Sequence, residues 1–133
     1  MRNVQGEVIN NTKFPNNTRI LIGGSTGSGK TTFCFNLIKN QHFINPIETV
    51  HYFSTSANPM DIDWHDTLPN VDVFYYEGLP TLSFYPTVKQ NSMVIIDDMF
   101  EDAVESSDVS RAFRVESRHR EFALIIITQV FIL

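Results

Sequence analysis

The stretch Gly24-Ser25-Thr26-Gly27-Ser28-Gly29-Lys30-Thr31 constrains this chain more than any other. It satisfies the phosphate-loop pattern G-x-x-x-x-G-K-[ST] at every fixed position. Its flanks agree with it. Ile20-Leu21-Ile22 before it is a short apolar run suited to a buried strand, and Thr32-Phe33-Cys34-Phe35-Asn36-Leu37-Ile38-Lys39 after it reads as the opening turns of a helix. Glycines let backbone amides close around phosphate oxygens where a Cβ would clash, and the helix N-terminus adds positive potential. The residues expected to bind nucleotide are therefore Gly24, Ser25, Thr26, Gly27, Ser28, Gly29, Lys30, Thr31 and Thr32. Lys30 is placed to reach the β- and γ-phosphates and the Thr31 hydroxyl to ligate Mg²⁺. The ligands implied are ATP and Mg²⁺.

At 133 residues the sequence is one domain, small for a phosphate-loop enzyme. Apolar residues are 42% and charged residues 19%, an ordinary globular balance that excludes a disordered chain. The net charge of −5 gives no overall basic footprint for nucleic acid, which weakens that reading, although a motor can still bind DNA through a local basic patch. Cys34 is the only cysteine, so no intrachain disulfide forms and an intracellular, reducing setting is expected. No apolar run approaches the ~18 residues that span a bilayer, so no membrane is expected as a partner.

Residues 1–18 are polar and read as an N-terminal arm, with one short strand around 7–9; residues 19–133 form the phosphate-loop domain. Residues 19–23 are the first core strand, and the helix after the loop runs to about residue 40. Residues 49–53 and 71–76 are β-branched and aromatic strands, the latter near a sheet edge. A short helix is expected within the acidic stretch 61–68, which holds Trp64. Met93-Val94-Ile95-Ile96 is continuously apolar, the mark of a strand buried on both faces. Residues 100–114 read as a helix, acidic early and basic late, in keeping with the helix dipole. Residues 122–127 are the last core strand. Strands alternating with helical segments imply crossover units and a largely parallel sheet, an α/β fold.

Two further motifs complete the site. Asp97-Asp98 ends the apolar run, where an acid holds Mg²⁺ in phosphate-loop enzymes. Asp97 is assigned to the metal and Asp98 to the attacking water as base; Glu101 and Glu121 are the other acids within sequence reach. Thr128-Gln129 ends the last strand, at the carboxyl edge where ligands of open parallel sheets bind. There the pair can hydrogen-bond the γ-phosphate or the attacking water and report the nucleotide state. Arg111, Arg114, Arg118 and Arg120 suit phosphate, on DNA or on a neighbouring subunit's nucleotide, and equally a solvated helix end. His51 and His119 stand apart from Cys34, which argues against a transition-metal site. Phe74, Tyr75 and Tyr76 read as sheet packing and Cys34 as core.

The phosphate loop, Tyr76-Glu77-Gly78-Leu79-Pro80, Ile96-Asp97-Asp98 and Ser117-Arg118-His119 leading to Thr128-Gln129 occur in a familiar order. Together they resemble the genome-packaging ATPases of large DNA viruses and Polinton-like elements, in the FtsK–HerA branch of phosphate-loop motors. The resemblance covers residues 19–129. It implies a RecA-like sheet in which the sensor strand separates the phosphate-loop strand from the acidic strand, and it gives Gln129 the sensor role. It also implies a homo-oligomeric ring that moves double-stranded DNA, capsid proteins as further partners, and a place in the host cytoplasm, nucleus or virion. Two departures stand out. Many such motors carry Glu where this chain has Asp98, and family members continue well past the sensor glutamine. The missing C-terminal strand would leave residues 19–22 as a sheet edge. The same residues also admit a nucleotide or small-molecule kinase with a lid at residues 111–120, or a degenerate nucleotide-binding fragment.

Overall fold

The computed structural model describes residues 13–24, 29–55, 67–99 and 105–128. Five strands form one sheet: β1 (Arg19–Gly23), β2 (Thr49–Ser54), β3 (Asp72–Glu77), β4 (Ser92–Asp97) and β5 (Ala123–Thr128). Their order is β1-β5-β4-β2-β3, and every neighbouring pair is parallel. Parallel neighbours require crossover connections. Helix α1 (Lys30–Lys39) lies in the connection from β1 to β2. A second helical stretch precedes β5: α2 (Ser107–Arg111), a π-helical turn over Ala112–Glu116, and α3 (Ser117–Arg120).

The sequence accounts for this layering. β4 and β5 are apolar almost throughout and occupy the two most enclosed places in the sheet, with Met93–Ile96 and Ala123–Ile127 all buried. Alternate residues of a strand point to opposite faces. Met93, Ile95, Ala123, Ile125 and Ile127 therefore meet Cys34, Phe35, Leu37 and Ile38 of α1 on one face. Val94, Ile96, Leu124 and Ile126 meet Val109, Ala112, Phe122 and Tyr85 on the other. Each fully buried Ile contributes about 1.5–3 kcal/mol by leaving water. The aromatic residues of β3 do pack into the sheet layer: Tyr76 stacks on Phe53 at 4.4 Å, and Phe74 on His51 at 5.5 Å.

Helix α1 starts at Gly29, whose φ of 89° favours glycine, and stops at Gln41, which takes a left-handed φ of 56°. Ser106 caps α2 by accepting from the Val109 amide at 3.2 Å. The second helical stretch differs from its reading in the sequence. It continues through Arg120, so Ser117-Arg118-His119-Arg120 is its last turn and not a separate lead-in to β5. Residues 100–104, the strand expected at 7–9 and most of the short helix expected within 61–68 lie outside the described residues. The described part of the arm is tied down: Phe14 pairs with Phe43, and the Asn16 side chain donates to Asn45 O and accepts from Asn45 N, both at 2.8 Å.

Among the described residues β1 is an edge, as is β3, both as expected. Leu21 is 48% exposed, in contrast to its buried counterparts in β4 and β5. Leu124 N donates to Thr18 O, and alternate residues of a parallel strand face the same neighbour, so Ile20 and Ile22 amides turn toward β5 and those of Arg19 and Leu21 away. Hydrogen exchange should therefore alternate along β1, slow at Ile20 and Ile22 and fast at Leu21. Uniformly slow exchange at residues 19–22 would show that a further strand covers this edge.

Candidate nucleotide-binding site

The carboxyl ends of β1, β5 and β4 are level. Gly23 pairs with Thr128 and Ile127 with Asp97, so the strand leading into the phosphate loop and the acidic strand end are held at one edge of the sheet with β5 between them. Gly24 leaves β1 there, and Gly29-Lys30-Thr31 opens α1. The Lys30 ammonium donates to Gly24 O at 2.5 Å, so the lysine lies back along the loop it is expected to serve. Thr31 is half-buried and Thr32 exposed. Ser25, Thr26, Gly27 and Ser28 lie outside the described residues, as do Glu101 and the sensor candidate Gln129. Its neighbour Thr128 is buried at the end of β5.

Asp97 is the last residue of β4 and is half-buried; Asp98 is exposed. Asp98 takes a left-handed φ of 60°, tolerated better by Asp than by most residues, and its amide donates to Ile127 O at 2.9 Å. That turn ends β4 immediately after its carboxylate. Burial pushes the Asp97 carboxyl above its ordinary range and Asp98 adds to this, while the Tyr52 hydroxyl and Lys30 oppose it.

Nothing in the sequence singled out Tyr52. It comes from β2, opposite Ile95, and its ring is 1% exposed. Its hydroxyl donates to Asp97 Oδ2 and lies 3.5 Å from Thr31 Oγ1. Thr31 and Asp97, distant in sequence, are thus bridged through one phenol. Burial, together with the bond to Asp97, keeps the Tyr52 hydroxyl protonated and a donor. Cys34 is fully buried on the same side of the sheet, its thiol pushed up to about 12 by burial and then by Asp97, which leaves it unreactive at neutral pH. No group of three or more His, Cys, Asp or Glu side chains suited to a metal occurs among the described residues. One hydroxyl and one carboxylate nevertheless suit Mg²⁺, a hard cation that keeps waters and takes phosphate oxygens as its remaining ligands.

The arginines lie elsewhere. α3 ends where β5 begins, at the amino edge of the sheet, roughly 17 Å from Thr128 along a six-residue strand. Glu121 sits at that edge too, accepting from Gln90 Nε2 at 2.8 Å, and so cannot serve as the alternative base. Arg111 and Arg120 are both engaged with the buried Glu116, at 3.1 and 2.7 Å, and Arg114 donates to Ser110 Oγ at 3.3 Å. Arg118 is exposed.

No protein-family model matches the chain, and no curated protein matches it. Solved structures do. The chain is similar to one solved ATPase domain (TM-score 0.54, 13% identity), covering 89% of this chain and 59% of that one. It is also similar to the Legionella pneumophila ATPase DotB (TM-score 0.52, 13% identity), covering 90% of this chain and 32% of that one. The fold, a parallel five-stranded sheet flanked by helices, is a RecA-like α/β fold, which the chain shares with these two structures. The chain spans less than two thirds of either protein. No described helix is long and apolar enough to cross a membrane.

The Glu116 pairs set a pH dependence. The bond from Arg120, then that from Arg111, holds the Glu116 carboxyl below its ordinary value of 4.5. A depressed acid contributes stability above its unfolded value and loses it as pH falls through the folded one. Glu116→Gln should cost about 1–2 kcal/mol at pH 7, and the gap to wild type should close as the pH is taken below 4.5 in thermal melts. A gap independent of pH would show that the charge of Glu116 contributes nothing.

Proposed function

We propose that this chain binds ATP with Mg²⁺ and hydrolyses it, as the motor domain of a ring that translocates double-stranded DNA, with viral genome packaging as its setting. The observation that carries the ATPase reading is the sheet order, in which β5 lies between the phosphate-loop strand and the acidic strand. This is the order the packaging-ATPase resemblance implies. Residues 19–133 would act as the nucleotide-binding unit, with 1–18 as an arm.

In this reading the loop amides from Gly24 to Thr32 and the Lys30 ammonium bind the phosphates. Thr31 and Asp97 would hold Mg²⁺, which supplies charge neutralisation on the phosphate oxygens when bound. Asp98, at the exposed turn beyond β4, accepts a proton from water as its oxygen attacks the γ-phosphorus and the bond to the β-phosphate oxygen breaks, releasing ADP and phosphate. Gln129, following Thr128, reports the γ-phosphate. A kinase reading needs arginines over the phosphates, yet Arg111 and Arg120 are engaged with Glu116 and the latter arginine lies at the far edge of the sheet, which favours water as the acceptor. Arg118, exposed at that edge, is the arginine this reading assigns to DNA or to a neighbouring subunit. The DNA and capsid roles rest on the sequence resemblance alone.

Turnover measured with and without duplex DNA tests the reading. Wild type should hydrolyse ATP and be stimulated by duplex. Lys30→Ala should lose most affinity for a fluorescent ATP analogue. Asp98→Asn should bind ATP normally and turn over on the order of 10²-fold more slowly. Binding without turnover in wild type would leave only a nucleotide-binding module, and turnover that requires an acceptor other than water would make it a kinase.

A further inference from the structure

We propose that Tyr52 is a positioning residue of the metal site, its hydroxyl linking the Thr31 hydroxyl to the Asp97 carboxylate. The inference rests on the Mg²⁺-ATP reading above and adds to it a residue outside the loop and the acidic strand end.

The donor order follows from chemistry. A carboxylate only accepts, so the Tyr52 proton goes to Asp97 Oδ2. The Tyr52 oxygen is then the acceptor, and the Thr31 hydroxyl, 3.5 Å away, the donor. The result is a one-directional chain, Thr31 to Tyr52 to Asp97. It fixes both metal-binding groups at once. With its proton directed to Tyr52, the Thr31 oxygen presents lone pairs to the cation. With Oδ2 engaged, Asp97 keeps Oδ1 for the metal side. A hydroxyl in this position orients ligands it does not replace, as partners outside a metal's own ligand set generally do.

The phenol has little freedom to do otherwise. Its ring is buried against the face that carries Cys34 and Ile95, with the Tyr75 ring 6.1 Å away. β2 is locked between β4 and β3 by ladders on both sides. Tyr52 lies opposite Ile95, and Asp97 is the next residue of β4 on the same face. The reach is therefore the diagonal between paired strands, within range of an aromatic side chain.

Tyr52→Phe removes one oxygen and keeps the ring. A fluorescent ATP analogue is titrated into wild type and variant, first in chelator and then across a Mn²⁺ series. The half-saturating Mn²⁺ concentration should rise about tenfold in Tyr52→Phe, with affinity in chelator unchanged. In a Thr31→Ala background the same substitution should shift the Mn²⁺ requirement by less than it does in wild type, because only the Asp97 half of the link remains to be lost; a general structural effect would persist there undiminished. An unchanged or lowered Mn²⁺ requirement in Tyr52→Phe overturns the proposal, the lowered value showing that the phenol competes with the cation. If wild type binds the analogue equally with and without Mn²⁺, the Mg²⁺-ATP reading falls and takes this inference with it. Metal dependence in wild type that survives intact in Tyr52→Phe defeats this inference alone.

Discussion

Everything in this domain depends on β5 lying between β1 and β4. A strand in that place has neighbours on both edges and helices over both faces, so every side chain from Ala123 to Ile127 must be apolar, and every one is. The register then fixes the chemistry. Because Gly23 is opposite Thr128 and Ile127 opposite Asp97, the phosphate loop and the acidic strand end open onto one edge. A one-residue slip of β5 would reverse its faces and bury the wrong set against each helix layer. The same apolar packing that stabilises the sheet therefore holds the candidate site together.

The two edges of the sheet carry different polar clusters. At the carboxyl edge, Thr31, Tyr52, Asp97 and Lys30 form a partly buried group in which the acid is raised by burial. At the amino edge and along the preceding helix, Glu116 is lowered by two arginines. Opposite shifts on two acids reflect opposite surroundings. Asp97 is held mainly by a neutral donor in a desolvated pocket, Glu116 by full positive charges. The first arrangement suits a group that is to take up a cation, the second a group that stabilises a helix end.

Much of this was legible in the sequence. Both buried strands and the sheet order came from apolar runs and a family resemblance. The edge positions of β1 and β3 and the buried state of Cys34 followed as well. Tyr52 was not legible, because its partnership with Asp97 exists only through the pairing of β2 with β4, and no local pattern sets that register. The Arg111–Glu116 pair was hidden for another reason. Five residues separate them, a spacing that an α-helix carries away from a common face, and the π-helical turn over Ala112–Glu116 restores it. Glu116–Arg120, at the ordinary spacing of four, was open to reading.

The central claim is that one edge of the sheet holds nucleotide and metal together. Backbone amide spectra recorded with paramagnetic Mn²⁺-ATP test it residue by residue. Signals of Gly29 to Thr32, Asp97 to Met99 and Thr128 should broaden, while those of Arg118 to Glu121 and Ser92, at the other end of the strands, should stay sharp. Broadening centred on Arg118 to Glu121, or spread without preference over both edges, would contradict the account.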